Sequence, residues 1–199
     1  MIFPSPHQLL SWEDYMDYTR DITLNRPTVT PYDHDKTFEA TRWYLDIMQR
    51  ITTEQVISQK LYNKLAGVKE PWTWYCISEP WCGDAAWISP VLYLISRCNP
   101  LITFSVVLRD SNPEFIDQHL TSGGRAIPKL IACKTAGMTY LGEWGPRPAD
   151  IQQLVLSMKD NTAFTYGEKV KMIFGWYEQN KSRAIQDEFV DLTDKWAKQ

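Results

Sequence analysis

The sequence predicts an α/β fold in which a mixed central sheet is flanked by helices on both faces. Between residues 70 and 160, strand-like and helix-like segments follow one another in the order β-α-β-α-β-β-α. A βαβ unit gives two parallel strands, and a short turn between two consecutive strands gives an antiparallel hairpin. We therefore predict a sheet domain at 70–160, an N-terminal helical extension at 1–69 and a long C-terminal helix at 161–199 packed on the domain.

The N-terminal extension is expected to contain three helices. Ser11 with Asp14 three residues later imitates a capping box and predicts the first helix. A turn-rich stretch at 25–32 ends it, and apolar residues at helical spacing predict a second helix over 38–51. A third helix is expected from Thr53 until Gly67 stops it.

The middle of the chain supplies the βαβα part of the order. Residues 72–77 are aromatic and β-prone, and residues 85–98 are long enough for a helix. A nearly continuous apolar run at 102–108 is typical of a strand that is buried on both faces. Pro113 suits the first turn of a short helix over 113–120.

The remaining segments complete the sheet domain and the tail. Residues 128–133 and 138–141 are predicted to pair as a hairpin through the turn at 135–137, and 148–158 is predicted to be helical. The tail from 167 to 198 carries one long amphipathic pattern, in which Gly175 would permit a bend. Packing on the domain is the main interpretation of this tail, and a dimerisation helix is the alternative.

Composition excludes several classes of function. The chain of 199 residues has a net charge of −3, which gives no electrostatic footprint for nucleic acid or an anionic membrane. Its apolar runs are too short to span a bilayer. The N-terminus lacks the features of an export signal, so we expect a cytoplasmic protein, either monomeric or homodimeric.

The four cysteines do not form a metal or disulfide pattern. None of them belongs to a C-x-x-C pair, and the three histidines are remote from them in sequence, so no zinc site and no bound cofactor are expected. Cys76, Cys98 and Cys133 have apolar surroundings and are predicted to be small buried hydrophobes. Cys82 differs because it lies where a strand is followed by a helix.

The stretch Trp81-Cys82-Gly83-Asp84-Ala85 resembles the active-site turn of thioredoxins, Trp-Cys-Gly-Pro-Cys. A second feature supports the resemblance: Ile127-Pro128 precedes a sheet strand at the place where thioredoxins carry a cis-proline that faces the cysteine turn. Gly142 also falls where thioredoxins have a glycine. The chain is therefore identified as thioredoxin-like over 70–160, and its flanking helices resemble those of larger bacterial members of this superfamily.

Two departures from the thioredoxin pattern affect the chemistry. Ala85 replaces the second cysteine, which in thioredoxins releases the product from the mixed disulfide. Cys76 stands six residues before Cys82, where thioredoxins have a buried aspartate that assists this step. Cys98 would lie too far along the intervening helix to replace the missing thiol, and Cys76 is a poor substitute. We expect that the protein does not reduce disulfides as thioredoxin does.

The acidity of Cys82 is left open by the sequence. A cysteine in the first turn of a helix is stabilised as a thiolate by unpaired backbone N–H groups and the helix dipole. Asp84 opposes this because a nearby carboxylate disfavours a second negative charge. Asp84 has a simpler interpretation as an acidic residue that stabilises the helix N-terminus.

Two functional hypotheses follow from the resemblance. In the first, Cys82 is a catalytic nucleophile in monothiol exchange on protein or peptide disulfides, with glutathione or another low-molecular-weight thiol as co-substrate. In the second, the protein is a non-catalytic module that binds a peptide or protein. In both, the substrate-binding residues implied by the resemblance are Trp81, Gly83, Asp84, Ile127 and Pro128. Other thiol chemistry, such as peroxide sensing or conjugation, is a smaller possibility.

Overall fold

The computed structural model describes residues 1–159 and 161–199, and within them a mixed five-stranded sheet forms the centre of the fold. Strand β1 (Leu9–Leu10) lies at one edge, followed in space by β3 (Ile102–Leu108), β2 (Trp72–Ser78), β4 (Lys129–Lys134) and β5 (Thr139–Trp144). Strand β2 runs parallel to β3 and antiparallel to β4, and β4 and β5 form the predicted hairpin. The predicted α/β thioredoxin-like fold is confirmed.

Helices cover both faces of the sheet. All seven residues of β2 are buried, and Trp74 and Cys76 contribute to one apolar core while Tyr75 and Ile77 contribute to the other. The helices are α1 (Trp12–Leu24), α2 (Asp35–Glu54), α3 (Gln59–Ala66), α4 (Gly83–Ser96), α5 (Pro113–Ile116), α6 (Ala149–Met158), α7 (Tyr166–Asn180) and α8 (Arg183–Trp196).

Strand β3 is less buried than its sequence predicts. Thr103 is exposed, whereas Val106 and Val107 near the end of the strand are buried. Only these last residues pair with β1, which is too short to cover the rest of β3. The sequence does not predict strand β1, because its two leucines are too few to show the alternation of apolar and polar residues that indicates a strand.

The predicted capping box is present, and the third helix begins later than predicted. The Ser11 hydroxyl accepts from the backbone N–H of Asp14 at 3.0 Å at the start of α1. The prediction that Thr53 heads the third helix is wrong. Thr53 lies inside α2 and donates its hydroxyl to the carbonyl of Gln49 at 2.9 Å, while Ser58 caps α3.

The C-terminal segment forms two helices, not the one long helix that was expected. Lys181 and Ser182 both adopt left-handed backbone angles, with φ of 49° and 60°, and separate α7 from α8. Gly175 lies inside α7 and does not mark the break. The break lets α8 fold back, so that Phe189 and Trp196 pack against Trp74 of the central strand.

Candidate active-site turn and its surroundings

The structure brings the two predicted halves of the site together. Cys82 follows β2 and is the N-cap residue of α4, and it is partly exposed. The peptide bond between Ile127 and Pro128 is cis, as predicted. The Cys82 thiol donates to the carbonyl of Ile127 at 3.5 Å, so the cysteine turn faces the cis-proline loop.

The surroundings of Cys82 favour the neutral thiol. Burial and, after it, the Asp84 carboxylate together raise the pKa of Cys82 from its ordinary value of 9.0 to about 12. The backbone N–H groups of Ala85 and Asp84 and the Arg147 guanidinium lower the pKa of Cys82, but they do not offset desolvation. The effects that raise the pKa of Cys82 therefore outweigh the helix N-terminus, and the neutral thiol is favoured.

Asp84 is held by side chains from two distant parts of the chain. Arg147, between β5 and α6, donates to it from Nε at 2.9 Å and from Nη2 at 2.5 Å. The Tyr177 hydroxyl of α7 donates to Asp84 Oδ1 at 2.7 Å. The side chains of Arg147 and Asp84 are only 20% and 14% exposed. Asp84 thus connects the cysteine turn to the β5–α6 loop and to α7. Its role therefore goes beyond the predicted stabilisation of the helix N-terminus.

Gly83 lies beneath aromatic side chains from the helical extensions. A Cβ atom at this position would lie 2.7 Å from Cζ of Phe174 in α7 and 3.0 Å from the Tyr44 hydroxyl in α2. The close approach requires glycine here. Phe174 and Tyr44 therefore lie against Gly83, whereas the Cys82 thiol faces Ile127.

Trp81 packs against the second core, and a buried acid, Glu79, lies two residues before it. The Arg109 guanidinium lies 4.6 Å from the centre of the Trp81 ring, and the indole N–H is buried with no described hydrogen-bond partner. Glu79 is buried and accepts from the backbone N–H of Asp110 at 2.8 Å. Burial raises the pKa of Glu79 from 4.5 to about 7.

The structure supplies no second reactive thiol at the turn. Ala85 is fully buried, and Cys76 is also buried, with its Sγ donating to the Ser89 hydroxyl at 3.6 Å. Burial raises the pKa of Cys76 to about 12, and all four cysteines are free. Arg125, which precedes the cis-proline loop, forms a bidentate surface ion pair with Asp117 at 2.7 Å.

The described residues contain neither a metal-binding cluster nor a membrane-spanning helix. Across 1–159 and 161–199, no group of three or more His, Cys, Asp or Glu side chains is arranged to hold a metal ion. No helix in the described part of the chain is long and apolar enough to cross a membrane.

Sheet order, cis-proline and cysteine turn together define a thioredoxin-like protein. The family model described as thioredoxin matches residues 32–163, and the chain belongs to this family. The match includes α2 and α3 as well as strands β2 to β5 of the sheet. Among curated proteins, none matches this chain.

Solved structures share the fold. A protein of unknown function from Pseudomonas aeruginosa is similar with a TM-score of 0.56 and 13% identity, over 92% of this chain and 97% of that chain. An HIV epitope-scaffold is similar with a TM-score of 0.53 and 15% identity, over 92% of this chain and 98% of that chain. At these identities the likeness concerns the fold alone.

Proposed function

We propose that this protein is a thioredoxin-fold binding module that holds an extended peptide segment against its cis-proline loop, with Cys82 as a neutral thiol. The observation that supports the proposal is the fixed Asp84 carboxylate beside Cys82, which disfavours the thiolate. A nucleophile in thiol exchange must be a thiolate. A cysteine that is neutral at physiological pH can contact a bound peptide but is a poor nucleophile.

The cis-proline loop offers backbone groups for such a segment. Pairing of β4 with β2 begins at Lys129, and Ile127 makes no backbone–backbone hydrogen bond within the described residues. The main chain of an extended peptide can pair with unpaired backbone groups of this kind, while side-chain contacts select the sequence. Trp81, which is partly exposed beside the loop, would contact the bound segment.

A peptide array tests this proposal. We expect the full chain to bind a subset of extended ten-residue peptides without cysteine, with NMR shifts at the amides of Ile127 and Trp81. Cys82→Ser, which keeps a hydrogen-bond donor, should retain this binding. Loss of all binding in Cys82→Ser, together with accumulation of mixed disulfides in the wild type, would contradict it.

Monothiol exchange at Cys82 is the second candidate. It is favoured by the position of Cys82 at the N-cap of α4, where the backbone N–H groups of Asp84 and Ala85 lower its pKa. In this reaction the Cys82 thiolate attacks a mixed disulfide between a peptide and glutathione and releases the peptide thiol. A second glutathione then attacks the Cys82–glutathione disulfide, which regenerates the thiolate and yields oxidised glutathione.

Turnover with a glutathionylated peptide separates the two candidates. The binding module predicts no more release than a Cys82→Ala control shows at pH 7.5. Multiple turnovers that depend on Cys82 would establish the exchange reaction instead. Cytoplasmic location and peptide or protein partners belong to both candidates and remain proposals.

A further inference from the structure

A cavity of about 380 Å³ lies beside the cysteine turn, on the side away from the cis-proline loop. Gly83 and Asp84 form part of its lining, and Val155, Val170 and Ile173 from α6 and α7 supply apolar walls. Its volume falls within the range of about 300–1,000 Å³ that is common for small-molecule sites. One of its walls is α7, which lies beyond residues 32–163 matched by the thioredoxin family model.

Two lysines bring positive charge to this cavity. Lys159 at the end of α6 and Lys169 in α7 both line it, and the Lys169 ammonium donates to the Lys159 carbonyl at 3.5 Å. Neither lysine forms an ion pair with a carboxylate of the described residues. Arg147 also lines the cavity, but Asp84 already neutralises it. The Arg147–Asp84 pair has no net charge, so Lys159 and Lys169 are the groups of the described lining that attract an anion.

The lining also offers exposed apolar surface and one free hydroxyl. Leu156 and Tyr166 line the cavity although they are 58% and 84% exposed, so apolar surface remains uncovered there. The Tyr44 hydroxyl makes no hydrogen bond to a described side chain or backbone group and lines the same space. Burial raises the pKa of Tyr44 to about 12, so its hydroxyl stays a donor at neutral pH.

We propose that this cavity binds a free, amphipathic monocarboxylate whose apolar body lies against α6 and α7 and whose carboxylate contacts Lys159 and Lys169. Decanoate, a medium-chain fatty acid, combines an apolar chain with one carboxylate and is a suitable probe for a cavity of about 380 Å³. The site is separate from the peptide-binding face at Ile127, and the proposal does not depend on that function.

Calorimetric titration of the full chain with decanoate tests the proposal. We expect saturable binding at one site below the micellar concentration, with shifts of the Gly83 and Asp84 amides in NMR spectra. Decyltrimethylammonium, which carries the same chain on a cation, should bind at least about fivefold more weakly, since it loses the lysine contacts. Decanol keeps the apolar contacts and serves as the neutral reference.

Variants separate the charge from the apolar walls. The double variant Lys159→Gln/Lys169→Gln should weaken decanoate binding roughly fivefold to thirtyfold and leave decanol binding unchanged. Lys60→Gln/Lys198→Gln removes two exposed lysines elsewhere, so it matches the change in net charge and should not alter either ligand. Val170→Trp should abolish binding of both ligands by filling the cavity. If that variant does not fold, the lysine pair still decides the question.

Four results of the binding experiments would overturn the proposal. The first two are the absence of decanoate binding by the wild type and equal decanoate affinity of the two double lysine variants. The other two are amide shifts confined to another part of the molecule and binding only to vesicles of anionic phospholipid. A dimer in sedimentation experiments that buries α6 and α7 would also overturn it, because a second copy of the chain would then occupy this face.

Discussion

The replacement Asp84→Asn tests the network that fixes the cysteine turn. The substitution keeps the size of the side chain but removes its charge, so the Arg147 guanidinium loses its ionic partner. An exposed ion pair contributes up to about 1 kcal/mol, whereas breaking a fully buried pair costs about 3–5 kcal/mol. With side chains that are 14% and 20% exposed, this pair lies nearer the buried limit. We expect a loss of about 2–3 kcal/mol in the free energy of unfolding.

Urea denaturation followed by tryptophan fluorescence measures this loss. For a chain of 199 residues, about 2–3 kcal/mol corresponds to a fall in Tm of roughly 4–12 °C. Asp117→Asn is the matched control, because Asp117 forms its bidentate pair with Arg125 on the surface, with side chains about half exposed. This control should change stability little.

A second readout ties the same network to Cys82. Because Asp84 raises the pKa of Cys82, the Asp84→Asn variant should react faster with a small disulfide reagent at pH 7.5. A free energy of unfolding of Asp84→Asn within about 0.5 kcal/mol of the wild-type value would contradict this role of Asp84, because surface substitutions usually have effects of that size. Unchanged reactivity of Cys82 in this variant would contradict it equally.

Two further predictions concern the same region. Gly83→Ala should destabilise the fold by about 1–3 kcal/mol, because the added Cβ would lie 2.7 Å from the Phe174 ring. Gly175→Ala in α7 is the control: its Cβ would have nothing within 4 Å, so it should be neutral or slightly stabilising in the same urea assay. Glu79 has a pKa raised from 4.5 to about 7, so the native state binds more protons than the unfolded state between these values and stability falls as pH rises. Relative to the wild type, Glu79→Gln should therefore gain about 2–3 kcal/mol between pH 5 and pH 8, and a constant difference would contradict this.

Features that depend on neighbours in sequence could be predicted. The capping box of Ser11 and Asp14 is local, and so is the βαβ order that leads to a parallel pair of strands. The cis-proline could be expected because Ile127-Pro128 stands directly before a strand in the thioredoxin order. Each of these signals lies within a few residues of the structure that it predicts.

The partners of the cysteine turn could not be predicted in the same way. Arg147 and Tyr177 lie 63 and 93 residues from Asp84, and only the packing of α6 and α7 brings them to it. The end of α7 was also hidden, because Lys181 and Ser182 adopt left-handed angles without the glycine that usually marks such a break. Apolar residues continue at helical spacing on both sides of it.

The pH dependence of Cys82 modification tests the central claim, that Cys82 is a neutral thiol. Raising its pKa from 9.0 to about 12 lowers the thiolate fraction at neutral pH about a thousandfold, and the greater nucleophilicity of the more basic thiolate offsets part of this. With a Brønsted coefficient of about 0.4–0.5, the expected rate with a small disulfide is about 30- to 60-fold below that of an unstructured cysteine peptide.

The measurement follows the site-specific rate by mass spectrometry from pH 6 to pH 9.5, with Cys82→Ala as the background. We predict that the rate of Cys82 modification rises about tenfold per pH unit over this whole range and reaches no plateau. A plateau with a midpoint below pH 8, or a rate at pH 7.5 above that of the peptide, would show that Cys82 is a poised thiolate and would contradict the account.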